Sequence, residues 1–134
     1  MHKKIKYIDG IRFYRAIVAG INHLISRQDY LNQINVFPVP DGDTGTNMAF
    51  TVNSILDGTI DAVPTQVGEM SQKVADLTLD GARGNSGAIL AQFFVGFSEG
   101  LNGKDKMSVK DFSDAFNMAS KKAWNAISNP QEGT

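Results

Sequence analysis

The chain has 134 residues, no cysteine, and a net charge of −1 from 13 basic and 14 acidic residues. This length fits one domain. The lack of a basic stripe argues against nucleic acid as a partner, and the lack of cysteine excludes disulfides and thiolate metal ligands. No apolar run reaches the roughly 18 residues of a transmembrane helix, and no secretion signal is visible, so we expect a cytoplasmic protein.

Apolar residues recur three and four positions apart along most of the chain, which predicts helices. Pro64 suits a first helical turn, and Ser108 with Asp111 forms a sequence like a capping box. Trp124 falls on the apolar face of the last helix, where we expect it in the core. The predicted helices span residues 7–26, 29–34 (a short turn), 46–56, 64–79, 89–97 and 108–127. No strand or internal repeat is predicted, so the fold class is all-α.

A polar loop, NVFPVPDGDTGTNM at residues 35–48, interrupts the helices. Asp41 and Asp43 can direct their oxygens to one point if Gly42 lets the backbone bend sharply. Such hard ligands suit Mg²⁺, which usually takes one or two carboxylates and completes its shell with water and substrate phosphates. Residues 44–47 would then present free N–H groups at a helix start, where anions are favoured. Adjacent metal and phosphate sites are typical of an enzyme that uses a nucleotide.

A simpler interpretation of the same loop is structural. Asp-Gly-Asp is common in turns, and an aspartate before a helix is often an N-cap. The two prolines that stiffen the approach, Pro38 and Pro40, favour the functional interpretation of the longer motif.

A second glycine-rich loop, GARGNSG at residues 81–87, also precedes a helix. Its glycines allow a ligand close to the backbone, Asn85 or Ser86 can cap the helix, and Arg83 can pair with a phosphate. It is neither a P-loop nor a dinucleotide fingerprint, because it has no Gly-Lys-Ser/Thr ending and no preceding strand. The alternative is a flexible connection with a solvated Arg83.

Together, the motifs at 35–48 and 81–87 closely resemble the nucleotide-binding domain of the dihydroxyacetone kinase L-type family. The nearest branch looks like the N-terminal domain of bacterial fatty acid kinase. The likeness covers nearly the whole chain, and the two motifs stand in the expected order and spacing. It implies an all-α antiparallel helical barrel that binds ATP and two Mg²⁺ ions at one end.

The resemblance also implies roles for individual residues. Asp41 and Asp43 would bind the metal and serve catalysis. A third aspartate of the dihydroxyacetone kinase branch has Asn35 as its nearest equivalent here, an uncharged ligand. The residues expected to contact ATP are Thr44, Gly45, Thr46, Asn47, Gly84, Asn85, Ser86 and Gly87.

The implied reaction is transfer of the γ-phosphoryl group from Mg·ATP to a small acceptor. In the fatty acid kinase branch the acceptor is an acyl carboxylate carried by a separate lipid-binding protein; in the other branch it is dihydroxyacetone-like. The alternative function is a regulatory or partner module that binds Mg-nucleotide without transferring phosphate.

We interpret residues 1–134 as one nucleotide-binding domain. The fatty acid kinase branch continues past a sequence like Glu-Gly-Thr at 132–134 into further helices, so we expect a fragment without the closing helices of the barrel. Its uncovered apolar flanks would form a large exposed patch, which a soluble monomer rarely leaves open. We therefore expect a homodimer. The candidate patch residues are Ile17, Ile21, Phe116 and Ile127.

Overall fold

The computed structural model describes residues 3–133, so Thr134 of the Glu-Gly-Thr sequence lies outside the described residues. Within residues 3–133 the structure has six α-helices: α1 (Gly10–Ser26), α2 (Gln28–Gln33), α3 (Thr44–Gly58), α4 (Val67–Asp80), α5 (Gly84–Gly100) and α6 (Val109–Trp124). The described residues contain no sheet, only an isolated antiparallel bridge between Ile8 and Met107. The prediction of an all-helical fold is confirmed. Within residues 3–133, no helix is both long enough and apolar enough to cross a bilayer.

The long helices start at two opposite ends of the bundle. The Gly10 N–H donates to the Thr65 carbonyl at 2.7 Å, and Met107 pairs with Ile8, which brings the starts of α1, α4 and α6 together. We call this the capped end. The Arg83 N–H donates to the Thr51 hydroxyl at 3.2 Å, so α5 begins beside the first half of α3. We call this second end, where α3 and α5 begin, the cleft end.

Helix α5 lies at the centre of the core. Its Phe97 ring stacks on Phe13 of α1, with ring centroids 5.6 Å apart. On another side α5 approaches α6 so closely that a Cβ added at Gly96 would lie 2.8 Å from the Cα of Ala119. Only a small residue permits this distance, so the small side chains of α5 determine how tightly α6 packs.

At the capped end, two predicted helix starts were wrong, and hydrogen bonds there explain why. Helix α1 begins at Gly10 rather than Tyr7, because the Asp9 carboxylate accepts the Arg12 N–H at 2.8 Å and caps the helix there. Pro64 is not in a helix. Helix α4 begins at Val67, whose N–H donates to the carbonyl of Asp105 at 3.0 Å. Both positions depend on partners that sequence periodicity does not show.

The capping box of α6 is confirmed, but the end of this helix differs from the prediction. Ser108 and Asp111 satisfy each other's backbone N–H groups. The helix ends at Trp124 rather than Ile127, and the Trp124 side chain is 52% exposed, so its assignment to the core was wrong.

The predicted exposed apolar patch is confirmed only in part. Phe116 is 46% exposed, and its neighbour Phe112 is 45% exposed. Ile21 is buried at 3% exposure, because its face of α1 turns into the core, and it does not belong to the patch. Ile17 and Ile127 are half-buried. The homodimer stays a prediction.

Candidate functional site

The acidic loop and the glycine-rich loop meet at the cleft end. They line one cleft of about 540 Å³ between the starts of α3 and α5. Eight residues predicted from the sequence line it: Asn35, Asp41, Asp43, Thr44, Asn47, Gly84, Asn85 and Ser86. Three other predicted residues, Gly45, Thr46 and Gly87, lie behind its walls. Two motifs separated by about 40 positions in the sequence therefore contribute to the same site.

The acidic loop is held in a bent form. Gly42 has a φ of 68°, in the left-handed region that glycine adopts readily, so the expected sharp bend is present. The Asn35 side chain spans the loop: its Oδ1 accepts the Asp43 N–H at 3.1 Å, and its Nδ2 donates to the Val39 carbonyl at 3.2 Å. Asn35 therefore crosslinks the loop through both ends of its amide, in addition to facing the cleft.

The two carboxylates of the loop are free. Asp43 occupies the N-cap position of α3, yet its side chain makes no capping hydrogen bond. Within residues 3–133, neither Asp41 nor Asp43 forms an ion pair or a side-chain hydrogen bond, and both are exposed. The interpretation of the aspartate as a mere cap is therefore not supported. Both side chains remain available to a cation.

Several backbone donors at the starts of α3 and α5 also lack partners, although the Thr46 N–H of α3 donates to Asn32 Oδ1 at 3.0 Å. Helix α5 follows Arg83 with no side-chain cap, so the expectation that Asn85 or Ser86 caps it was wrong. Among the described residues, the N–H groups of Thr44, Gly45, Asn85 and Ser86 have no protein acceptor. The Ser86 hydroxyl lies 3.5 Å from the Thr44 carbonyl and joins the two helix starts. Of these residues, Thr44, Asn85 and Ser86 line the cleft, so their free donors lie at its wall.

Thr51 was missed by the sequence analysis, although it holds the two walls together. Its hydroxyl accepts the Arg83 N–H at 3.2 Å and donates to the Asn47 carbonyl at 2.8 Å, and the side chain is fully buried. Behind it Gly87 packs so closely that an added Cβ would clash with the Thr51 side chain. The signal in the sequence that could have identified it was a threonine at one of the apolar core positions of α3.

The rest of the cleft is apolar and uncharged. Its inner wall consists of Met48, Ile89, Leu90 and Phe93. No Lys, Arg or His is among the lining residues in the described part of the chain. The Arg83 guanidinium instead lies over the Phe50 ring, 5.0 Å from its centroid. The cleft thus combines two free carboxylates, free backbone donors and an apolar wall, without a cationic side chain.

The fold and the cleft define an all-helical domain with an acidic site between two helix starts. The chain belongs to the DAK2 domain family, which matches it over residues 38–134. This places it in the dihydroxyacetone kinase L-type family that its motifs resemble.

Relatives in staphylococci extend the likeness to almost the whole chain. An uncharacterized protein of Staphylococcus saprophyticus is 40% identical over 130 residues, which is 97% of this chain and 24% of the relative. Uncharacterized proteins of Staphylococcus epidermidis and Staphylococcus aureus are 38% and 36% identical with the same coverage. The chain therefore spans about a quarter of the length of the curated relatives it matches.

Proposed function

We propose that this chain is the Mg·ATP-binding domain of a phosphotransferase. The observation that carries the proposal is the meeting of two free carboxylates and two uncapped helix starts in one cleft. Family membership supports a nucleotide-binding module of the dihydroxyacetone kinase type.

The donor set fits magnesium. Asp41 and Asp43 are exposed carboxylates two positions apart on a bent loop, and no third acidic or histidine side chain joins them within residues 3–133. Mg²⁺ in nucleotide enzymes is usually held by one or two carboxylates together with substrate phosphates. When bound, the metal would neutralise charge on the phosphate oxygens. Asn35 can supply a neutral oxygen beside the carboxylates, since a carbonyl oxygen accepts two hydrogen bonds.

The backbone at the two helix starts would hold the phosphates. The N–H groups of Thr44, Asn85 and Ser86 are free and lie at the positive ends of helix dipoles, where anions are favoured. The apolar wall that includes Ile89 and Phe93 suits the nucleobase, because ligand pockets combine apolar surfaces with a few polar groups. In this arrangement Asp41 and Asp43 act by positioning and charge, and no residue needs to form a covalent intermediate.

The lack of a cationic side chain in the described lining affects how ATP can bind. Two carboxylates without a metal would repel the phosphates of ATP, and no Lys or Arg at the cleft offsets them. We therefore expect nucleotide binding to depend strictly on the divalent cation.

Calorimetry tests this expectation directly. ATP titrated into the chain should release heat of binding with Mg²⁺ present and none with EDTA. Phosphate itself is the control ligand, since it shares the charge but cannot use the apolar wall. ATP binding of equal affinity in Mg²⁺ and EDTA would contradict the proposed site.

The acceptor of the phosphoryl group is inferred from the family resemblance alone. We propose a fatty acid carboxylate presented by a lipid-binding partner protein, or a dihydroxyacetone-like molecule. An assay of ATP turnover with each acceptor, with and without a fatty-acid-carrying partner, distinguishes the two.

A second candidate function is binding of Mg-nucleotide without transfer. It is favoured by the lack of a side-chain cation that could stabilise the charge of a transition state, in the described part of the cleft. Tight Mg·ATP binding with no turnover under any acceptor condition would support this second candidate over the first.

A further inference from the structure

We propose that Asn32, on α2, is a positioning residue of this cleft. It fixes the first turn of α3 through Thr46 and thereby sets where Asp43 and Thr44 point. The inference rests on the proposed function for its effect on Mg·ATP, but the contacts themselves are independent of any ligand.

Three hydrogen bonds join α2 to Thr46. The Thr46 N–H donates to Asn32 Oδ1 at 3.0 Å, and Asn32 Nδ2 donates back to Thr46 Oγ1 at 3.0 Å. Gln28 Nε2 donates to the same hydroxyl at 3.2 Å. The backbone donor of Thr46 and both lone pairs of its hydroxyl are therefore used by α2. Thr46 does not line the cleft, unlike Thr44 before it and Asn47 after it.

Helices α2 and α3 also pack closely at this point. A Cβ added at Gly45 would lie 2.9 Å from the Leu31 Cβ and 3.0 Å from Asn32 Oδ1. Glycine at 45 lets α2 rest directly on the first turn of α3. A motif that the sequence suggests as a phosphate contact, Gly45-Thr46, thus serves in the structure to dock one helix on another.

The two asparagines hold the acidic loop at two points. Asn32 holds α3 at Thr46, and Asn35 holds the Asp43 N–H at 3.1 Å. The Asn35 N–H in turn donates to the Asn32 carbonyl at 3.4 Å. One anchor is the N–H of Asp43 itself and the other is three residues later in the first turn of α3, so the backbone from Asp43 to Thr46 is held at both of its ends. Groups that orient a metal ligand in this way commonly change metal affinity by about 10- to 100-fold when removed.

The experiment compares three variants of the full chain with the wild type. Asn32→Leu removes both bonds to Thr46 at similar volume. Asn32→Asp keeps the bond from the Thr46 N–H, and it replaces the bond from Asn32 Nδ2 with one in the opposite direction, because a carboxylate oxygen can accept from the Thr46 hydroxyl. Gln33→Leu is the matched control, an exposed position on the same helix. Amide hydrogen exchange across residues 43–47 is measured without ligand, and the Mg·ATP dissociation constant is measured by calorimetry.

We expect Asn32→Leu to speed exchange at Thr46 and its neighbours and to weaken Mg·ATP by about tenfold or more. Asn32→Asp should have amide exchange and Mg·ATP affinity close to those of the wild type, and Gln33→Leu should change neither quantity. Wild-type exchange in Asn32→Leu, or loss of binding in Asn32→Asp as severe as in Asn32→Leu, would overturn the inference. If the wild type itself does not bind Mg·ATP, the proposed function fails, and the exchange measurement alone decides whether Asn32 positions the loop.

A second pair keeps the test valid if Asn32→Leu does not fold. Thr46→Val removes only the hydroxyl and keeps the backbone bond, whereas Thr46→Ser keeps both. Faster exchange at residues 43–47 in Thr46→Val, but not in Thr46→Ser, supports the inference. Equal exchange in the two variants contradicts it.

Discussion

The helix starts at the capped end and at the cleft end of the bundle differ in how their backbone N–H groups are hydrogen-bonded. At the capped end, the Asp9 carboxylate caps α1, Ser108 and Asp111 cap α6 reciprocally, and loop carbonyls accept the first N–H groups of α4. At the cleft end, the N-cap residues Asp43 and Arg83 make no capping hydrogen bond, and the side chain of Asn32 on α2 takes only the N–H of Thr46, the third residue of α3. This contrast holds even though an aspartate stands in the N-cap position of α3.

The contrast shows how one fold separates stability from ligand binding. A capped N–H contributes about 1 kcal/mol to a helix but can no longer meet an anion. An uncapped N–H in an open cleft bonds to water and can exchange that water for a phosphate oxygen. The bundle therefore has its stabilising caps at one end and its available donors at the other.

Asp41→Ala has the largest expected effect, and it should be confined to the cleft end. Loss of a metal ligand should weaken Mg·ATP by more than the roughly 10- to 100-fold typical of an outer-shell partner. Stability should change by less than about 0.5 kcal/mol, because the side chain is exposed and unbonded. Calorimetry and urea unfolding measure the two effects. Unchanged Mg·ATP affinity would contradict the metal assignment.

Gly84→Val should affect both stability and binding. Gly84 has a φ of 67°, and a Cβ there would lie 2.5 Å from Asn47 Nδ2, so strain should cost about 1–3 kcal/mol. ATP should weaken far more than Mg²⁺ alone, since the valine obstructs the phosphate side of the cleft. Gly103→Val is the control, because φ is 75° there but the space is open. Equal losses of ATP binding in both variants would indicate a general effect of strain.

Ser108→Ala is the corresponding change at the capped end. It removes the hydroxyl that accepts the Asp111 N–H at 3.1 Å and should lower the free energy of unfolding by about 1 kcal/mol. Mg·ATP affinity should stay at the wild-type value, because the cap lies at the other end of the bundle. A parallel loss of affinity would show that the two ends are coupled.

Acid should weaken the capped end through Asp111. Hydrogen bonds from the backbone and side chain of Ser108, with a smaller contribution from Lys104, lower the pKa of this carboxyl. A lowered pKa stabilises the folded chain fully above the ordinary value of about 3.9, and the contribution is lost as pH falls below it. Asp111→Asn should therefore reduce the pH dependence of the melting temperature below pH 4. This is the smallest expected effect, because the side chain is still partly exposed and solvent screens its interactions.

The sequence by itself determined the helical class, the capping box and the position of the cleft. Apolar spacing of three and four is a local property, and so is the capping box, since Ser108 and Asp111 are three residues apart. The two loops were recognisable because their runs of glycine, carboxylate and amide residues interrupt the apolar spacing of the helices. Their meeting in one cleft was predicted from the family resemblance and is present in the structure.

Other features of individual residues were decided only by the tertiary structure. From the sequence, Asp43 could be a helix cap or a metal ligand, and the structure shows that its side chain makes no capping bond. Thr46 looked like a phosphate contact, but α2 takes its donor and its lone pairs. Trp124 had the spacing of a core residue and is half exposed. For Thr46 the deciding partners lie on another helix, and hydrogen bonds between segments leave no periodic trace in the sequence.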